Sequence, residues 1–177
     1  MPTVITHAVV GAAISTLVRP SGSRLLAACA ACAVIPDLDA IGHWLGAPWG
    51  HVLGHRGITH SLAFAAVLAA VVVALRFRDD RRGRLRLWLV LAAATTSHGV
   101  LDAMTDGGLG IAFLAPLDDA RYFLPWRPIP VSPIGVSRFL GARGAAVLRA
   151  EAVMIWLPSL VLALAVTIWR RRRRRRA

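Results

Sequence analysis

The chain has 177 residues, 56% of them apolar, a mean hydropathy of +0.60 and a net charge of +12. An apolar share this high, at the length of one domain, argues against an ordinary soluble fold and against disorder, and points to a helical membrane protein. All 21 basic residues are arginine, seven of them in the run Arg170–Arg176; in a membrane chain such an excess marks cytoplasmic segments before it marks nucleic acid, so a nucleic-acid partner is set aside.

Five apolar segments follow in chain order, each helical by length and by its lack of strand punctuation: roughly Thr3–Val18, Arg24–Ile35, Ile58–Leu75, Leu87–Met104 and Ala152–Trp169. The expected fold is an all-α membrane bundle. The last three segments reach about 27 Å at 1.5 Å per residue, enough for a thin bilayer, and the second only about 18 Å. The first segment lacks a basic n-region, and its first arginine, Arg19, comes after the apolar run, so it reads as a retained helix and not a signal peptide. Cys29 and Cys32 form a C-x-x-C, but within an apolar run and without a βαβ context they read as small core residues.

Arginines set the topology. Arg19 and Arg24 lie between segments one and two, six arginines from Arg76 to Arg86 lie between three and four, and the tail is basic. These regions belong in the cytoplasm. The N-terminus and the loops 36–57 and 105–148 then face outward, with the C-terminus inside. Residues 1–169 are expected to form one membrane-embedded domain, and 170–177 a basic cytoplasmic tail.

The unusual polar residues converge on that outer face. His7 lies near the outer start of segment one, Asp37 and Asp39 ("PDLD") just past segment two, His55 and His60 ("HRGITHS") at the start of segment three, and His98 and Asp102 ("SHGVLD") near the end of segment four. Ionisable residues at such depth are costly and mark functional sites. Imidazole and carboxylate together suit a divalent transition metal, with zinc first and manganese or iron next. His98 and Asp102, at i and i+4, project from one helical face. His60, fixed one turn inside its helix, ranks above His55 as a ligand. His43 and His51 read as loop surface or as outer support, Asp79 and Asp80 as partners of the surrounding arginines, and Glu151 as an acid suited to a helix N-terminus.

The long outer loop contributes Asp106, three following glycines, Arg121 and Arg127. Arg127, between Trp126 and Pro128, and Arg56 are candidate phosphate binders, because guanidinium pairs with two oxygens at once. Asp106 joins them as a substrate-binding candidate. The bland alternative pairs the loop arginines with Asp118, Asp119 or lipid headgroups.

The ordered set "THAVVG", "PDLD", "HRGITHS", "SHGVLD", "TDGG" and "PWRPIPVSP", over about residues 6–135, resembles the YdjM-type family of inner-membrane metal-dependent hydrolases. That family is distantly similar to the zinc-dependent phospholipase C and single-strand nuclease superfamily, helical enzymes that hold a zinc cluster. The resemblance implies a ligand order of His7, then Asp37 or Asp39, then His55 or His60, then His98 and Asp102. No histidine follows His98, so the superfamily's further zinc site is missing and a centre of one or two ions remains.

The expectation is a bacterial inner-membrane hydrolase that attacks a phosphoester with metal-activated water, the substrate a phospholipid or lipid-linked phosphate. Asp102 is expected to bridge, Asp39 or Asp37 to act as ligand or base, and Arg56 and Arg127 to hold phosphoryl oxygens. A transporter would need polar residues through the membrane, whereas the segments below Ser61 and after Ala152 are nearly bare. A scaffold with a structural metal is the other alternative.

Overall fold

The computed structural model describes the chain except residues 19–21, 47, 49, 81–82, 134–135 and 177, and except the side chains of His43, Trp44, Val136, Arg174 and Arg176. Arg19, Arg81, Arg82 and the His43 side chain, to which the sequence assigns roles, lie outside the described residues.

Among the described residues there are six helices of ten or more residues: α1 (Val4–Ser15), α2 (Ser23–Val34), α3 (Leu62–Arg76), α4 (Arg84–Ala103), α5 (Ala142–Glu151) and α6 (Leu157–Arg176). No strand occurs among the described residues, only two isolated bridges, Thr105 with Ile129 and Ile111 with Tyr122. Among the described residues, two stretches are long and apolar enough to cross a membrane, Ser23–Gly42 and Ala142–Arg173. Val4–Ser15 and Leu62–Arg76 are shorter apolar helices.

Side chains define the helix starts. Thr3 caps α1, its hydroxyl accepting from the Thr6 N–H at 3.3 Å, and Ser61 caps α3 through the Phe64 N–H at 3.1 Å. At the end of α2, Pro36 supplies no N–H, and the chain tightens into a 3₁₀ turn over Ile35–Asp39. That turn carries Asp37 and Asp39.

Helix α4 is central, with α1, α2 and α3 packed around it. Its buried face runs from Leu87 through Leu91, Ala94 and His98 to Asp102. Farther along the bundle lies a hydrophobic cluster of Leu25, Cys29, Cys32, Val73, Val90 and neighbours. Both cysteines are buried and unbonded, as the sequence reading has them. Gly11 brings α1 against α2: a Cβ there would stand 2.5 Å from the Cys29 carbonyl oxygen.

The last segment differs from expectation. Helix begins at Ala142, ten residues before the expected Ala152, so the outer loop is shorter than 105–148 and also holds a helical turn at Val136–Phe139. Between α5 and α6 the chain widens into a π turn at Ala152–Trp156, just ahead of Pro158, whose ring and missing N–H disturb the α ladder. Glu151 is therefore not at a helix start. It is fully buried, accepting from the Thr3 backbone N–H (2.7 Å), the Thr3 hydroxyl (2.5 Å) and the Thr6 hydroxyl (2.6 Å). At the other end of the same helical run, Arg170 donates to the Thr16 carbonyl and, at 2.6 Å, to that of Leu17. Helix α1 thus runs parallel to α5–α6, pinned at both ends.

Candidate metal centre

Four separate elements bring the polar residues to one end of the bundle. Helix α4 places His98 and Asp102 one turn apart on its buried face. Helix α1 contributes His7, fully buried, with its ring stacked on that of His98 at 3.7 Å between centroids. The 3₁₀ turn after α2 brings Asp37 and Asp39. A second 3₁₀ turn, Ile58–His60, brings His60; the residue precedes α3, capped by Ser61, and does not lie one turn inside it.

The acceptors around the rings decide which nitrogen is bare. His98 Nδ1 is 2.7 Å from the Ala33 carbonyl, and His60 Nδ1 is 3.1 Å from Asp39 Oδ2. A carbonyl and a carboxylate only accept, so in the neutral rings each Nδ1 carries the hydrogen and each Nε2 presents a lone pair. Those two Nε2 atoms are 3.0 Å apart. Two facing lone pairs repel unless a proton or a cation lies between them. Asp37 Oδ1 is 3.4 Å from His98 Nε2, Asp102 Oδ2 is 3.6 Å from His60 Nε2, and Asp102 Oδ1 is 3.6 Å from His7 Nε2.

Six buried atoms here have no hydrogen-bond partner: both ring nitrogens of His7 and both carboxylate oxygens of Asp37 and of Asp102. A buried group with no partner costs about 1–3 kcal/mol, more where it is charged; of the six, Asp102 Oδ2 is partly compensated by Arg56 Nε at 3.1 Å. A divalent cation removes that cost. Separations of 3.0–3.6 Å match the donor–donor edges of a coordination shell with bonds of about 2.0–2.2 Å. Asp37, His60, His98 and Asp102 form one group whose ligand atoms all lie within 4.8 Å of one another, and Asp39, His55 and His60 form another. The residues fit a metal ion.

The two aspartates of "PDLD" differ sharply. Asp37 has bare oxygens. Those of Asp39 are occupied: Oδ1 by His55 Nδ1 at 2.7 Å, Oδ2 by the Thr59 hydroxyl at 2.6 Å, the Arg56 N–H at 3.1 Å and His60 Nδ1. This is the pattern of a carboxylate that orients ligand rings.

Arg56 is almost wholly buried, with its guanidinium turned onto Asp102 and the loop carbonyls while the residue borders the cavity beside His55. Its Nε lies 3.1 Å from Asp102 Oδ2, Nη2 donates to Thr105 Oγ1 (3.1 Å), and Nη1 donates to the Gly107 carbonyl (3.2 Å) and to that of Leu109. Its φ is +64°, in the left-handed region that non-glycine residues enter only when the surroundings hold them there. Arg127 is not brought to the cluster; it is exposed, with its guanidinium 4.9 Å from the Phe123 ring centroid. Asp106 accepts from the Val131 N–H at 2.8 Å and ties the outer loop together. His51 is exposed, as the sequence reading has it.

The sequence reading gave Arg121 no specific place. Its Nη1 donates to the carbonyls of His55 (3.3 Å), Arg56 (3.1 Å) and Gly110 (3.2 Å), and its Nη2 to that of His51 (3.2 Å). One guanidinium thus staples the ligand-bearing loop to the outer loop. Glu151, the chain's only glutamate, was also assigned to a helix start. A lone carboxylate inside an apolar run is the signal that marks it as buried and partnered.

No solved structure matches the chain. Over 176 residues it is 42% identical to the inner membrane protein YbcI of Escherichia coli (strain K12), an alignment that takes in 97% of this chain and all of that relative. The sequence profile described as YdjM inner membrane protein matches residues 1–174. With membrane-length helices and a buried His/Asp cluster of metal-ligand type, the chain belongs to the YdjM inner membrane protein family.

Proposed function

We propose that the chain is a multi-pass, membrane-bound, metal-dependent hydrolase that cleaves a phosphoester of a lipid or lipid-linked phosphate, with its site at the outer face of the membrane. The observation that carries this reading is the set of six orphaned buried atoms of His7, Asp37 and Asp102, converging with the bare Nε2 atoms of His60 and His98. A divalent ion, zinc first by ligand type, supplies Lewis acidity there and makes water nucleophilic near neutral pH.

The chain's own residues divide the remaining work. Asp37, His60, His98 and Asp102 would hold a divalent ion, with His7 beside them. Asp39 fixes the His60 ring and, through its other oxygen, that of His55. Arg56 pairs with Asp102 Oδ2, the oxygen that also faces His60 Nε2, and fixes its orientation. His55 borders an open cavity and hydrogen-bonds Asp39, the arrangement of a group that moves a proton between site and solvent.

Metal analysis of the detergent-purified chain, beside hydrolysis of a chromogenic phosphate diester and monoester, tests the reading. The expected result is one to two equivalents of metal per chain and turnover that disappears on chelation and returns with zinc or manganese. Metal without turnover of any phosphoester would leave a structural ion only. No metal at all would remove the centre.

A further inference from the structure

A cavity of about 840 Å³ opens beside the metal centre. His55 and Arg56 form the wall nearest the cluster; the opposite wall comes from the helical turn Val136–Phe139 and the first turn of α5, with Arg138 and Arg143. Leu109 and Val131 are among its apolar surfaces. None of the described lining residues is acidic.

Arg138 and Arg143 are exposed, and neither guanidinium has a hydrogen bond or ion pair among the described residues. They face the same space as Arg56, whose own charge is already met by Asp102. Arg143 also sits in the first turn of α5, where the positive end of the helix dipole opposes a cation. An anion in the cavity relieves both costs. The volume is that of a site for a molecule of some size, far more than a bare phosphate fills. Helix α5 continues as the apolar stretch Ala142–Arg173, whose sides are almost entirely uncovered, so the cavity lies at the head of a helix suited to acyl chains.

We propose that this cavity is the headgroup site for an anionic phospholipid, with Arg138 and Arg143 gripping its phosphate oxygens and the apolar wall receiving the ester and acyl stems. The identity of the reacting bond rests on the hydrolase reading; binding does not. A lipid phosphate held there stands next to His55.

Binding of dihexanoyl phosphatidic acid to the full chain in detergent, followed by native mass spectrometry and competition, is the test. The Arg138→Gln/Arg143→Gln double variant should bind about tenfold or more weakly, as expected for losing charge-assisted pairs at 1.4 kcal/mol per tenfold. Its melting midpoint and metal content should stay unchanged, which shows that it folds. Ala142→Trp, which narrows the cavity without removing charge, should weaken the lipid by a similar factor. Inorganic phosphate should compete only at far higher concentration than the lipid. Equal affinity in the double variant overturns the arginine grip, and phosphate competing as well as lipid overturns the lipid as occupant. Lipid that binds through these arginines in a chain that hydrolyses no phosphoester removes the proposed activity and leaves this site. Hydrolysis of lipid phosphate unaffected by either variant does the reverse.

Discussion

The Arg56 guanidinium lies against the bare Cα of Gly108: a Cβ built there would stand 2.9 Å from Nη1, and Gly108 has a φ of +85°. The glycine gives Arg56 its room, and Arg56 in turn meets Asp102. Gly108→Val should therefore cost about 1–3 kcal/mol through backbone strain alone, and should displace Arg56 as well. A drop in melting midpoint together with reduced metal content is the expected outcome; a variant with wild-type values of both breaks the link between loop and cluster.

Asp37 and Asp39 should separate cleanly. Asp37→Asn removes an anionic donor with bare oxygens and should lower metal content strongly. Asp39→Asn keeps the ligand set but loosens His60 and His55, and should weaken metal affinity about 10–100-fold, as expected for a partner of ligand rings. Metal titration of the two variants distinguishes these effects.

His98→Ala and Asp102→Ala should each remove most of the metal, since a shell short of one ligand binds poorly. In the wild-type chain, zinc at about 100 times its dissociation constant should add about 2.7 kcal/mol of stability. Chelation should reverse that gain, and a His98→Ala/Asp102→Ala double variant should show no shift with zinc.

Arg121→Gln keeps donors but loses the forked reach to four carbonyls. Greater protease sensitivity in residues 51–57 is expected, along with weaker metal binding, while Arg127→Gln should leave both unchanged.

Topology is tested by single cysteines. Leu117, almost fully exposed in the outer loop, and Arg78, exposed between α3 and α4, should label as Leu117→Cys and Arg78→Cys from opposite sides of sealed membranes. Labelling from one side ends the outer-face assignment.

Much of this was legible because the polar residues sit in motifs whose helical positions are forced. His7, His98 and Asp102 come together because helix direction and period leave them no other place. The Asp37–Asp39 choice was not legible, since it depends on which carboxylate the tight turn aims at Thr59 and which it leaves bare. Arg121 and Glu151 were misjudged for a related reason: their partners are carbonyls and hydroxyls far along the chain, contacts that periodicity does not encode. Arg127 looked positioned by its neighbours in sequence, yet the loop turns it onto Phe123. The ten extra residues of helix before Ala152 escaped because Arg143, Gly144, Arg149 and Glu151 break the apolar run without breaking the helix.

The pinned pair of helices also acts as a depth gauge. From Glu151, which holds the start of α1, to Arg170, whose side chain reaches back to the end of that shorter helix, the chain climbs about 28 Å at 1.5 Å per residue, close to the roughly 30 Å of a hydrocarbon core. If the arginine belt is anchored at one surface, the histidines can only hang near the other. The depth of the cluster is then set by a ruler remote from it, and shortening α6 by one turn should drag the whole cluster about 5 Å into the oil, where a charged headgroup does not follow.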